Sequence, residues 1–294
     1  MRLSSVLLLV CLNLTPGFAL AASLNTICLN TEIQILTAGV SGRIGICVSD
    51  GQKGASLHGG DQFPLYNVVE LPVAVAVLDV VDNSKIHLDD HVTTEPHTSG
   101  TAGQNPPQLA DHTSSKTTIR DLLTRMIADN DSTATDSLIT RLGGPDVVQS
   151  VLIKKGIRGF KIDRNEPDPR TFAARHHDTG TPIAVANLLQ RLVNGWLLSP
   201  SSSSFLLETM SRTRAFPDGL KAGLPNGWLL AHKTGTGTTS KGVASATNDV
   251  GVLIAPDPKS FVVAAVFISN SHASNRDQAS LIASVARTVG TCLQ

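Results

Sequence analysis

Apolar positions dominate Val68 to Val81, a stretch interrupted only by Glu70, Pro72 and Asp79. A run apolar on all sides at this length predicts a helix buried all round. Shorter helical patterns surround it, over residues 25–40, Ile119–Ala128 and Thr133–Arg141, the last stopped by Gly143-Gly144. Another covers Val147–Lys155 and stops at Gly156. Thr181-Pro182 has the form of a cap followed by proline at the first helical position. Ser201–Ser204, after Pro200, reads as one more helix start. Strand patterns lie at the two ends of the chain. Arg43 to Asp50 alternates Ile44, Ile46 and Val48 and closes on the turn signal Asp50-Gly51. After Pro225, the β-rich runs Trp228–Lys233, Asp249–Ile254 and Phe261–Ser269 precede a final helix from about Arg276 to Val289. Strand, helical block, three strands and helix is an α+β order, distinct from repeating βαβ units. The pattern contains no internal repeat.

Composition narrows the class. The 294 residues carry 24 Lys+Arg against 24 Asp+Glu, and only 16% are charged. A neutral balance argues against a nucleic-acid partner, which calls for a basic excess. The 41% hydrophobic content is enough for a sizeable core.

The N-terminus adds a location. Arg2, the apolar run Val6–Leu14, the breakers Pro16-Gly17 and the small residues Ala19-Leu20-Ala21 have the anatomy of a secretory signal peptide over residues 1–21. The expected destination is the periplasm or the outside of the cell, with no membrane span in the mature chain. Cys11 leaves with that segment, so Cys28, Cys47 and Cys292 remain. An oxidising compartment allows one disulfide among the three; Cys47, inside the strand pattern, reads as a small core residue. No CxxC pair exists, and His176-His177-Asp178 lacks a spaced third ligand, so neither a metal nor another cofactor is expected.

The candidate chemistry gathers around Lys233-Thr234-Gly235, followed by Thr236-Gly237. It is preceded by Ala222-Gly223-Leu224-Pro225-Asn226-Gly227-Trp228 and followed by Ala246-Thr247-Asn248-Asp249-Val250-Gly251. Upstream lie Asn165-Glu166-Pro167 and the buried helix opening Tyr66-Asn67-Val68-Val69-Glu70-Leu71-Pro72. With these motifs, residues 22–294 resemble the class A serine β-lactamases. In that family S-x-x-K opens the buried helix, S-D-N lies on a loop, a glutamate sits on an omega loop and K-T-G lines a sheet edge. The resemblance implies a serine β-lactamase/penicillin-binding-protein-like α+β fold. Its antiparallel sheet is flanked by helices, including the first and last, and an all-helical lobe covers approximately 65–215. It also implies a monomer, and antiparallel packing of the first and last helices that pairs Cys28 with Cys292.

The same alignment shows what this chain lacks. Asn67 stands at the nucleophilic serine and Glu70 at the lysine. Asn130-Asp131-Ser132 replaces S-D-N, and the family's asparagine four residues after Glu166 is Arg170. Acyl transfer needs a hydroxyl or thiol nucleophile with a base in reach, and an amide nitrogen with a delocalised lone pair does not replace it. The expectation is a protein inactive as a serine β-lactamase. The alternative is a hydrolase in which Glu166 activates water directly.

Other positions follow the family. Lys233, Thr234, Gly235, Thr236, Ser132 and Arg276 are expected to hold a carboxylate of a β-lactam or cell-wall fragment, the other option being a protein partner. Arg164 and Asp178 match the ion pair that clasps the omega loop. A buried Glu70 beside Glu166 needs a counter-charge; Arg170 is the candidate, pairing with Glu70, Glu166 or both, the alternative being a surface arginine after Pro169. Lys233 has a structural alternative, hydrogen bonding to Asn130 or Asp131. His232 is expected to face away from the cleft.

Overall fold

The computed structural model describes residues 23–94, 115–162, 178–257 and 260–293. Its helices are α1 (Thr26–Thr37), α2 (Glu70–Asp82), α3 (Ile119–Asp129), α4 (Ser132–Leu142), α5 (Pro145–Lys154), α6 (Pro182–Val193), α7 (Pro200–Ser211) and α8 (Asn275–Cys292). The strands before α6 are β1 (Arg43–Ser49), β2 (Gly54–Leu57), β3 (Phe63–Pro64), β4 (His91–Thr94), β5 (Ser115–Thr118), β6 (Phe160–Lys161) and β7 (Thr179–Gly180). Four more follow α7: β8 (Leu229–Thr236), β9 (Thr239–Ser240), β10 (Val243–Ile254) and β11 (Phe261–Ser271).

The main sheet is antiparallel, in the order β2-β1-β11-β10-β8, with β9 paired to β10. Successive side chains point to opposite faces, and both faces are covered. Ile44, Ile46, Val48, Val262, Ala264, Val266 and Ile268 join a core with Leu29 and Ile33 of α1 and Ile282, Val285 and Val289 of α8. Cys47, Val263, Ala265 and Phe267 face the other way, into a core shared with the helical lobe. The result is three layers, with the sheet in the middle.

Helix α2 is the axis of that lobe. Every residue from Glu70 to Leu78 is buried, which is why its pattern is apolar on all sides. Local signals place the neighbouring helices. Thr118, Asp131, Thr181 and Ser199 cap α3, α4, α6 and α7 through side-chain oxygens, each accepting from a backbone N–H of the first turn. Gly143 ends α4 at φ +100°, a conformation open to glycine.

The disulfide joins Cys28 of α1 to Cys292 of α8, as the resemblance implies, and the backbone N–H of Asn25 donates to Cys292 O at 2.8 Å beside it. Cys47 is buried with a free thiol, and burial pushes that thiol up to about 11. Among the described residues no helix is long and apolar enough to cross a membrane. Residues 1–22 lie outside the described residues.

Candidate active site

Strand β8 ends the sheet, so one side of its backbone is free. Gly237 N donates to Ala246 O at 2.9 Å, and the register pairs Gly235 with Asn248 and Lys233 with Val250. In an antiparallel ladder the N–H and C=O of one residue point to the same side. The backbone of residues 233, 235 and 237 therefore faces β10, and that of 232, 234 and 236 faces away from it. Two bonds fit this assignment: Thr213 Oγ1 donates to His232 O at 3.0 Å, and Lys233 Nζ donates to Thr234 O at 3.2 Å.

A 3-10 turn over Tyr66–Val69 carries Asn67 to this edge just before α2. Asn248 holds the approach, its Nδ2 donating to Pro64 O at 2.8 Å and Leu65 O at 3.2 Å. The turn presses so closely on β8 that a Cβ on Gly235 would sit 2.4 Å from Leu65 O. Tyr66 takes φ +48°, a left-handed conformation that costs a bulky residue of order 1–3 kcal/mol. Its ring is anchored, with the phenol oxygen 2.6 Å from Ser245 Oγ. Burial holds that phenol above its usual range, against a smaller opposing effect of the Ser245 bond.

From this turn a chain of polar contacts crosses the floor of the site. Asn67 Nδ2 donates to Glu70 Oε1 at 2.7 Å. Glu70 Oε2 lies 3.1 Å from Lys233 Nζ, and Lys233 Nζ donates to Asn130 Oδ1 as well as to Thr234 O. Glu70 and Lys233 are 1% and 0% exposed at their side chains, so this is a fully buried ion pair. Placing Glu70 in the first turn of α2 also suits the helix dipole. Lys233 thus gives Glu70 a counter-charge. Arg170, the expected partner, lies outside the described residues. An ammonium has three hydrogens, and the three acceptors around Nζ all belong to the protein. Of the two amide-or-acid partners read for the structural role of Lys233, Asn130 is the one in contact.

Asn130 reaches the lysine because it caps α3 at φ +58°, in the left-handed region where asparagine is enriched. Its backbone N–H donates to Arg125 O. Asp131 next to it caps α4, its Oδ1 accepting from Ala134 N at 3.1 Å, and its Oδ2 pairs with Arg125. Ser132 is half-buried at the start of α4, and Thr234 is buried. Thr236 and Arg276 are exposed, and neither forms a side-chain hydrogen bond or ion pair among the described residues. Asp178 is 1% exposed beside the turn, its carbonyl accepting from Leu65 N at 2.9 Å. Arg164, Glu166, Arg170, His176 and His177 lie outside the described residues.

One contributor went unassigned in the sequence. Asn248 was visible only as part of a flanking motif, with nothing to reveal that its amide holds the turn. His232 faces away from Lys233, as alternation requires, and is buried with Nδ1 2.8 Å from Asp249 Oδ1. Asp249 Oδ2 accepts from Leu220 N at 2.9 Å.

Comparison with known proteins agrees with this architecture. The family model described as "Beta-lactamase enzyme family" matches residues 28–292. A β-lactamase of Bacteroides uniformis is 31% identical over 273 residues, covering 89% of this chain and 90% of its own. The β-lactamase VEB-1 of Pseudomonas aeruginosa is 27% identical, over 88% of each chain. Among solved structures, a β-lactamase from Chitinophaga pinensis superposes with a TM-score of 0.82 at 27% identity, covering 88% of this chain and 97% of that one. A class A β-lactamase from Bacteroides cellulosilyticus gives 0.82 at 27%, covering 90% and 96%. On motif order, fold and these matches, the chain belongs to the class A serine β-lactamase family.

Proposed function

We propose that this chain is an exported member of the family that has lost acyl-enzyme chemistry and keeps its cleft for binding. The observation that carries the reading is the contact at Asn67. Where a serine and a lysine base are needed, a carboxamide donates to a buried carboxylate. Neither group is a nucleophile toward a lactam carbonyl in that arrangement, because the amide nitrogen is delocalised and the carboxylate is engaged by Asn67 and Lys233. Export is supported by the signal-like N-terminus and by the Cys28–Cys292 disulfide, which belongs to an oxidising compartment.

The test is direct. The purified protein is mixed with a chromogenic cephalosporin, and separately with benzylpenicillin followed by intact-mass measurement. No colour change and no mass adduct are expected. Turnover that disappears in Glu166→Gln would replace this reading with direct activation of water. A gain of acylation in the Asn67→Ser/Glu70→Lys double variant would show that the remainder of the cleft is intact.

A further inference from the structure

We infer that the floor of this cleft recognises an uncharged amide in preference to a carboxylate. The inference rests on the binding role proposed above and specifies its ligand class. The cation at the sheet edge is already committed. Lys233 is 0% exposed; its ammonium donates to Asn130 Oδ1 and Thr234 O and forms an ion pair with Glu70 Oε2 at 3.1 Å. An incoming carboxylate would have to displace one of these acceptors and would lie beside the Glu70 carboxylate, where like charges repel. The neighbouring pair, Arg125 with Asp131, is also internally neutralised.

On the floor itself, among the described residues, what remains for a ligand is uncharged and of both polarities. The two charged neighbours fix the orientation of the two amides. Glu70 requires the Nδ2 of Asn67 to face it, and the Lys233 ammonium requires the Oδ1 of Asn130. Asn67 therefore retains its Oδ1 acceptor and one N–H, while Asn130 retains both N–H donors. None of these groups forms a hydrogen bond among the described residues, and both side chains are half-buried. A ligand amide offers the complement, a carbonyl for Asn130 and an N–H for Asn67 Oδ1. A carboxylate offers acceptors only and leaves the Asn67 oxygen unmatched.

Calorimetric titration of the whole protein with benzylpenicillin and with its primary carboxamide tests this. The carboxamide is expected to bind at least tenfold more tightly than the free acid. Glu70→Gln releases a donor of Lys233 and is expected to shift that ratio at least tenfold toward the acid. If Glu70→Gln does not fold, Asn67→Ala serves instead. It keeps the buried ion pair, and it is expected to cost the carboxamide at least tenfold while leaving the acid unchanged. Equal or tighter binding of the acid by the parent protein overturns the inference, as does binding of neither compound or an unaltered ratio in the variant that folds. Turnover of the cephalosporin would defeat the functional proposal alone, and acid-selective binding without turnover would defeat this inference alone.

Discussion

Lys233 and Glu70 form a pair whose two halves were legible at the residue scale while their union was not. The sequence shows a glutamate in an apolar helix and a lysine on a distant strand, and only the fold places them 3.1 Å apart. Removing one partner of a buried pair leaves an uncompensated charge. Lys233→Met is therefore expected to cost about 3–5 kcal/mol in urea unfolding. The double variant Glu70→Gln/Lys233→Met, with both charges gone, should recover most of that loss. Gly235→Ala tests the neighbouring backbone contact. The added methyl would sit 2.4 Å from Leu65 O, so the turn must shift, at a cost of about 1–3 kcal/mol. Cys47 makes a pH-dependent contribution. Its folded pKa, about 11, lies above the ordinary thiol value of 9.0, so the folded state holds the proton longer than the unfolded one. That stability is complete below about pH 9 and is lost as pH rises toward 11, at up to about 1.4 kcal/mol per pH unit. Chemical denaturation at several alkaline pH values should show a shallower decline in Cys47→Ala. Tyr66, also raised, contributes in the same direction in both proteins, so the difference isolates the thiol.

Among the elements, periodicity and caps located six of the eight described helices to within a few residues and marked the starts of the other two, α6 and α7. Those signals are local, and the structure uses them as the sequence presents them. Strand β10 shows where that reading stops. Its second half, Asp249–Ile254, reads as a strand. Its first half, Val243 to Asn248, is made of small and polar residues and is a strand because β8, β9 and β11 pair with it. The two-residue strands β3, β6 and β7 likewise exist through pairing rather than propensity. The site was legible to a similar depth: the motifs placed Asn67, Asn130 and Lys233, and their hydrogen-bond partners emerged only with the fold. Between α1 and α8 the disulfide closes a sequence separation of 264 residues. Reduction is expected to cost about 2–5 kcal/mol through the freer unfolded chain, seen as a lower Tm with reductant and reproduced by Cys28→Ala/Cys292→Ala.

For the molecule as a whole, the even balance of 24 positive and 24 negative residues conceals where charge has been moved. The central sheet, covered on both faces, carries the cleft at its β8 edge. The substitution of charge inside that cleft leaves the scaffold recognisable to its family, and on the proposal above it changes what the scaffold can do. The bond between α1 and α8 has a further consequence for the molecule's integrity. Since it ties residues near both ends of the described chain, the backbone between Cys28 and Cys292 is a covalent ring. One proteolytic cut within that ring opens it without releasing a fragment. A singly nicked molecule should migrate as one band in non-reducing denaturing electrophoresis and as two once reductant is added, so damage to the cleft loops would leave the protein in one piece.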